Sequence, residues 1–258
     1  MNPKFKAASI VIACAACAAC LGWAYNRAST RTTEIDCTNN LRSIALALDN
    51  YYSTFKRYPS PNYSGHSWRI RCVPYVLASP MYSEYRFDEP WDSDANFTID
   101  TRPLPSKKIV TETSDIAMEP HGIPYPYPCE YNLAAHHVSY LMLVGTNAFG
   151  KPQGWRTQSE IVDGLDLTIA VAETSRTDVH WLSPVDLDIA TMSFTVNDGP
   201  KSISSRHPRG PAVMFCDGEV FRLNPSIDSD SLKALVTIDG GEDISRNQLL
   251  DRGFLVSP

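Results

Sequence analysis

Two hydrophobic patterns follow each other near the start of the chain. No charged residue occurs from Ala7 to Tyr25, and this apolar stretch is about as long as a helix that spans a bilayer. From Cys37 to Phe55, apolar residues instead recur every third or fourth position, on one side of an α-helix. They are Leu41, Ile44, Ala45, Leu48, Tyr51, Tyr52 and Phe55. Because neither glycine nor proline occurs from Trp23 to Tyr58, the sequence predicts one continuous helix that leaves the membrane and packs on a folded domain.

Patterns typical of strands dominate the second half. The apolar runs Val138 to Val144 and Leu167 to Glu173 are bounded by turn residues, which predicts two strands. Ala212 to Leu223 contains two β-rich runs around Asp217-Gly218, a dipeptide that suits a two-residue type I′ turn. A last helix is predicted from Ser229 to Thr237. The predicted fold class is therefore α+β and pilin-like, with a long N-terminal transmembrane helix packed on an antiparallel β-sheet with short extra helices.

The middle of the chain is rich in proline and carries weaker signals. Short helices or turns are predicted from Ser67 to Leu77 and from Ser79 to Phe87. Weak strands are predicted near Phe97–Thr101 and Lys108–Thr113.

Composition narrows the class of protein and of partner. The 258 residues are 43% hydrophobic and 20% charged, which is the profile of a folded domain. The net charge is −6 and no basic run occurs, so nucleic acid is not an expected partner. We divide the chain into a membrane segment, residues 1–25, and an exported domain, residues 26–258.

Three interpretations of the N-terminus remain open. Lys4 and Lys6 favour an N-terminus inside the cell and a retained anchor that contacts membrane lipid through residues 7–25. The segment is otherwise a cleaved secretory signal, or a lipoprotein signal processed at Cys14. All three interpretations place the folded domain outside the cytoplasm, and the first places the protein in the inner (cytoplasmic) membrane with a single span.

Seven cysteines fall into two groups. Three lie in the apolar segment, and four lie beyond it: Cys37, Cys72, Cys129 and Cys216. In an exported domain four cysteines allow three disulfide pairings, and the alternative is that they are small buried side chains. Their spacing with histidine does not match a zinc motif, so no structural zinc is expected.

Other polar residues suggest sites, each with a structural alternative. His207 and Asp217-Gly218 are either a binding or catalytic pair or the supports of a hairpin, and we favour the structural role. Asp92, Asp94 and Asn96 repeat oxygen ligands as a calcium loop does. In an EF-hand count, however, Phe97 and Pro103 replace the glycine and glutamate, so we expect no cofactor beyond a loose calcium site.

The remaining candidates have weaker support. His136 and His137 are adjacent, so in a strand they would face opposite ways. Glu173 and Asp163 are candidate carboxylates, although Asp163-Gly164 is also a turn. Four tryptophans either stack on a sugar or pack in the core: Trp68, Trp91, Trp155 and Trp181.

Several stretches together resemble one protein family. Residues 37–52 (CTNNLRSIALALDNYY) with Arg57-Tyr58-Pro59 resemble the start of a planctomycete family of prepilin-like proteins of unknown function. Further stretches agree in order, and the last is a histidine followed after nine residues by Asp-Gly. They are Ser67-Trp68-Arg69 with Pro74-Tyr75, Phe87 to Asp92, Ile161 to Gly164, Trp181 to Leu187, and His207 with Asp217-Gly218. The resemblance extends from Cys37 to Glu242.

The resemblance implies an exported, pilin-like domain on a membrane helix. Members usually carry a Gly-Phe-Thr-Leu-Ile-Glu segment before the apolar stretch. This chain has Lys4 to Ile10 (KFKAASI) there and no glutamate in the apolar segment, so the resemblance implies the fold more than filament assembly.

We therefore expect a membrane-anchored cell-envelope protein with a structural or interaction role and no catalysis. Its expected partners are membrane lipid and envelope, secretion or pilus-like proteins. One alternative is an exported module that binds a carbohydrate or peptide on loops rich in tryptophan and tyrosine. Another is an envelope hydrolase that uses His207 and Asp217.

Overall fold

Four ranges of the chain are described by the structure, which is a computed structural model. They are residues 34–76, 81–100, 137–176 and 178–258. The predicted membrane segment of residues 7–25 lies outside these ranges, as does the predicted strand Lys108–Thr113. Within the ranges that are described, no helix is both long enough and apolar enough to cross a bilayer.

The first helix, α1, covers residues 34–55 without a break. The predicted apolar stripe is confirmed, because Leu41, Ile44 and Leu48 are buried. Only the end of the stripe departs from the prediction, since Phe55 is 46% exposed. One side of α1 is thus fixed on the domain over five turns of the helix.

The other elements are short. The helices are α2 (Trp68–Val76), α3 (Met81–Glu84), α4 (Asp94–Asp100), α5 (Ser229–Val236) and α6 (Arg246–Asp251). The strands are β1 (Asn62–Tyr63), β2 (His66–Ser67), β3 (Tyr140–Val144), β4 (Ile169–Glu173), β5 (Leu187–Asp188), β6 (Ala212–Phe215), β7 (Val220–Leu223) and β8 (Leu255–Val256). The strands, the hairpin and the last helix predicted from the second half of the sequence are confirmed to within two residues at each end.

Six strands form one sheet in the order β5-β3-β4-β6-β7-β8, and β1 pairs with β2 separately. The prediction of a purely antiparallel sheet is wrong, because β5 runs parallel to β3, with Leu143 opposite Leu187. After β4, the chain passes β3 and joins the sheet at its outer edge as β5, in the direction of β3. The chain between the parallel strands β3 and β5 therefore includes β4, and β4 and β5 run in opposite directions on the two sides of β3. The fold is therefore α+β with a mixed sheet.

Alternation along the strands separates two apolar layers. The face that carries Tyr140, Met142, Ala212 and Met214 packs against the buried stripe of α1. The opposite face, with Leu141, Leu143, Val213 and Phe215, packs against Leu232 and Leu235 of α5 and Leu249 of α6. An irregularity in β4 between Ile169 and Val171 places both Ala170 and Val171 in the layer under α1. The sheet therefore lies between α1 on one side and the C-terminal helices on the other.

A buried ion pair attaches α2 to the edge of the sheet. The Arg69 Nη2 donates to Asp186 Oδ1 at 2.7 Å, and the same oxygen accepts from Trp68 Nε1 at 3.2 Å. The backbone N–H of Met142 in β3 donates to this oxygen at 2.9 Å. Two of the stretches that carried the family resemblance, Ser67-Trp68-Arg69 and Trp181 to Leu187, thus meet in one structural contact.

Two local predictions are corrected by the structure. Phe97–Thr101 was predicted as a strand, but Asp94–Asp100 is the helix α4, and Ser93 Oγ accepts from the backbone N–H of Asn96 at its start. The hairpin turn is also not type I′. Of Asp217 and Gly218, only Gly218 has a positive φ, 87°, and the Phe215 N–H donates to Glu219 O. The connection therefore has three residues, 216–218, with the glycine in the left-handed position.

Candidate functional site

Three buried side chains from distant parts of the sequence meet at one end of the sheet. Cys37 lies on α1, Glu173 is the last residue of β4, and His207 lies in the loop before β6. The His207 Nε2 is 3.2 Å from Cys37 Sγ and 3.2 Å from Glu173 Oε1. None of the three residues is more than 3% exposed.

The loop that carries His207 is a tight turn. The Gly210 N–H donates to the His207 carbonyl at 3.0 Å, with Pro208 in the second position, where its fixed φ suits such a turn. Ser205 Oγ accepts from the His207 N–H at 3.0 Å. These local bonds direct the imidazole into the domain.

The carboxylate of Glu173 is held at both oxygens. Oε1 accepts from Ser205 Oγ at 2.9 Å, and Oε2 accepts from the Ala212 N–H at 2.8 Å. Burial opposes the charged form of His207, but hydrogen bonds to Cys37 and Glu173 and the charge of Glu173 outweigh it and raise the pKa of His207 to about 9. Without another cation in the site, the imidazole is protonated at neutral pH.

Two arginines extend this contact to the first described turn of α1. The fully buried Arg222 donates from Nη2 to the Glu34 carbonyl at 2.6 Å and from Nη1 to the Gly210 carbonyl at 2.8 Å. Its Nη1 also lies 3.8 Å from Glu173 Oε2. Arg209 Nε donates to Glu34 Oε2 at 2.7 Å. We call Glu34, Cys37, Glu173, His207, Arg209 and Arg222 the Glu173 cluster.

The connectivity of the Glu173 cluster differs from that of a thiol-based catalytic triad. A triad imidazole uses one ring nitrogen for the nucleophile and the other for the carboxylate. Here Cys37 and Glu173 both contact Nε2 of His207. The ligand atoms of these three side chains lie within 4.8 Å of one another and could hold a metal ion. Among the described residues, this is the group of metal-ligating side chains that meets this condition.

The structure does not bring His207 and Asp217 together. They flank opposite ends of β6, which separates them by roughly 13 Å of strand. Asp217 Oδ2 instead accepts from Arg246 Nη1 at 2.8 Å, and its Oδ1 accepts from the Glu219 N–H at 3.0 Å. Asp217 therefore contacts α6 and its own hairpin, not His207, and the structural role of this motif stays a prediction.

The proposed calcium ligands have different surroundings. Asn96 is fully buried, and its Oδ1 accepts from the Arg86 N–H at 2.9 Å while its Nδ2 donates to the Pro90 carbonyl at 2.8 Å. Asp92 and Asp94 are exposed. Because the amide oxygen of Asn96 already accepts a backbone hydrogen bond, calcium binding here stays a prediction without geometric support.

Of the two alternatives for the cysteines, a disulfide is not seen among the described ones. Cys72 and Cys216 have free thiols, and burial raises the pKa of both. Cys37 contacts His207. Cys129 lies outside the described ranges, so a bond to it stays a prediction.

The other candidates are dispersed. Asp163 accepts from the N–H groups of Gly240 and Gly241 at 2.7 and 2.9 Å, which is a structural role. His137 pairs with His180 in an isolated antiparallel β-bridge, and His136 lies outside the described ranges. Trp68 and Trp181 are buried, Trp91 is half-buried, and Trp155 is 40% exposed.

The sequence singles out Cys37, Glu173 and His207 separately, but it does not predict that the three side chains meet. The sequence suggests Cys37 as a disulfide partner or a small buried side chain, and Glu173 as an isolated carboxylate. The available signal was local, since Glu173 ends an apolar strand and a buried carboxylate there requires a positive or hydrogen-bonding partner.

Comparison with known protein families gives a match. A family model described as "Protein of unknown function (DUF1559)" matches residues 27–199. This range contains Cys37 and Glu173 but ends before His207. Neither the curated proteins nor the solved structures contain a match.

Proposed function

The chain belongs to the DUF1559 family of proteins of unknown function, and from this premise we propose that it is a membrane-anchored, pilin-like cell-envelope protein. Residues 7–25 cross the inner membrane once, and the domain of residues 26–258 lies outside the cytoplasm. Its role is structural or in interaction with envelope or secretion proteins, without catalysis.

The burial of one side of α1 is the observation that carries this proposal. A helix of at least 22 residues (34–55) lies along the sheet, and only 8 residues separate it from the apolar segment that ends at Tyr25. The Glu173 cluster fixes the membrane-proximal turn of this helix. Such an arrangement suits a helix that connects an anchor rigidly to a head domain.

The proposal of a non-enzymatic role is supported by the connectivity of the Glu173 cluster. Its thiol is buried, and its imidazole contacts thiol and carboxylate through the same nitrogen. A nucleophile needs access to a substrate and a base of its own.

Fractionation of cells that produce the full chain tests the proposal. We expect the chain to remain in the membrane pellet after an alkaline carbonate wash and its domain to be digested by protease in spheroplasts. A variant without residues 7–25 is expected in the soluble fraction, because it has lost the apolar surface that lipid buries.

The mass of the mature N-terminus separates the three alternatives. A start at Met1 or Asn2 supports the retained anchor, a lipidated Cys14 indicates a lipoprotein, and a start near Ala24 indicates a secreted protein. Recovery of the unprocessed full chain in the soluble fraction would contradict the proposal.

A second candidate function, ligand binding, is favoured by an aromatic hollow. Three side chains around it are 39–46% exposed: Phe55, Tyr63 and Trp155. The guanidinium of Arg57 stacks 3.8 Å from the Trp155 ring centroid, and that of Arg71 lies 4.0 Å from the Tyr63 centroid. In the described ranges neither arginine forms an ion pair with a carboxylate. The hollow, of about 100 Å³, suits one acidic group of a sugar.

Titration of the detergent-solubilised full chain with acidic oligosaccharides, followed by calorimetry, tests this candidate. Trp155→Ala is expected to abolish binding, because it removes the stacking surface. Phe97→Ala, which removes an exposed aromatic ring on α4, is the matched control and is expected to keep it. The absence of heat with every acidic sugar, or equal binding by both variants, would exclude the candidate.

A further inference from the structure

The contacts of His207 Nε2 differ from those of an ordinary hydrogen bond. One ring nitrogen offers one N–H or one lone pair. The single N–H or lone pair of Nε2 cannot point linearly at both Cys37 Sγ and Glu173 Oε1. Both of these atoms nevertheless lie 3.2 Å from Nε2. A cation between the three atoms would accept an electron pair from each.

We propose that Cys37, Glu173 and His207 bind a zinc ion. Thiolate sulfur, imidazole nitrogen and carboxylate oxygen are the ligands that zinc takes in proteins, at about 2.3, 2.0–2.1 and 2.0–2.2 Å. In a tetrahedral site these bond lengths separate the ligand atoms by about 3.4–3.6 Å. The two observed distances of 3.2 Å therefore need to widen by only a few tenths of an ångström.

The choice of zinc follows from the ligand types. A thiolate is a soft ligand that calcium and magnesium do not prefer. A zinc ion with one thiolate and one carboxylate is also electrically neutral, which suits a site in which no ligand residue is more than 3% exposed.

Neighbouring polar groups hold the Glu173 carboxylate in an orientation that suits a zinc ligand. Ala212 N–H and Arg222 engage Oε2 of Glu173, and this leaves Oε1 directed at His207. Ser205 Oγ, 2.9 Å from Oε1, fixes its orientation. The three ligands come from α1, β4 and the loop before β6, so the ion would join the helix to the sheet.

Metal analysis of the full chain in detergent, refolded with zinc and then dialysed, tests the proposal. We expect one zinc per chain and, by X-ray absorption, one sulfur ligand with nitrogen and oxygen ligands. Cobalt substitution is expected to give a thiolate-to-cobalt absorption band. Ser205→Ala is expected to weaken zinc binding about 10–100-fold, because it frees the ligating carboxylate.

Matched variants locate the ion. Cys37→Ser and His207→Asn are expected to lose zinc and the cobalt band, while Cys216→Ser, whose sulfur lies outside the cluster, keeps both. A metal-free wild-type chain, an absorption spectrum without sulfur, or a band retained in Cys37→Ser would overturn the proposal. The wild-type measurements decide it even where a variant fails to fold.

Discussion

Replacement of Arg222 by methionine is expected to lower the free energy of unfolding by about 3–5 kcal/mol. The guanidinium is fully buried, and it donates to the carbonyls of Glu34 and Gly210 while it faces the Glu173 carboxylate. Methionine fills similar space but donates no hydrogen bond, so two carbonyls and one carboxylate lose a buried partner. In thermal unfolding of the detergent-solubilised full chain, we expect a fall of roughly 6–20 °C in the melting temperature.

Arg86→Met is the matched control for this substitution. Arg86 forms an ion pair with Glu89 at 2.7 Å, but its side chain is 60% exposed, so solvent screens the pair and Arg86→Met is expected to leave the melting temperature nearly unchanged. If Arg222→Met were as stable as the control, the polar contacts of Arg222 would not hold α1 on the sheet.

Gly210→Ala is expected to have the second large effect, a loss of about 3 kcal/mol or more in the free energy of unfolding. Gly210 has a φ of 87°, which disfavours a side chain, and a Cβ there would overlap the carbonyl oxygen of Leu223 in β7. Relief of this overlap would move the loop of His207 away from the strand. Urea unfolding of the full chain measures the loss.

Gly253→Ala separates the cost of the positive φ from the cost of the overlap with Leu223. Gly253 also has a positive φ, 70°, but a Cβ there meets no atom within 4 Å. Only the backbone cost of about 1–2 kcal/mol is expected for it. Equal losses in both variants would show that the close approach of Gly210 to β7 does not matter.

The sequence predicted the elements whose signals are local. The stripe of α1 repeats over five turns, and the hairpin around Asp217-Gly218 pairs residues that are close in sequence, so both could be recognised. Strand β5 could not, because its two residues join the sheet only through β3, which lies more than 40 residues earlier.

The same distinction applies to the candidate site. The sequence suggested Asp217 as the partner of His207, ten residues away, but the partner on α1, Cys37, is 170 residues away. No spacing rule connects residues on α1, β4 and the loop before β6. Their meeting depends on the packing of α1 on the sheet, which the stripe predicts only as a face and not as a register.

The contacts of Glu34 and Cys37, on the first described turns of α1, have a mechanical consequence. Tension applied through the chain before residue 34 reaches Arg222 through the Glu34 carbonyl, and β3 through Tyr140, whose hydroxyl donates to the Cys37 carbonyl at 3.1 Å. These two bonds join the first described turns of α1 to two different strands, β7 and β3, so a pull from that end loads them before the rest of the helix. The helix should therefore resist being peeled from its pulled end.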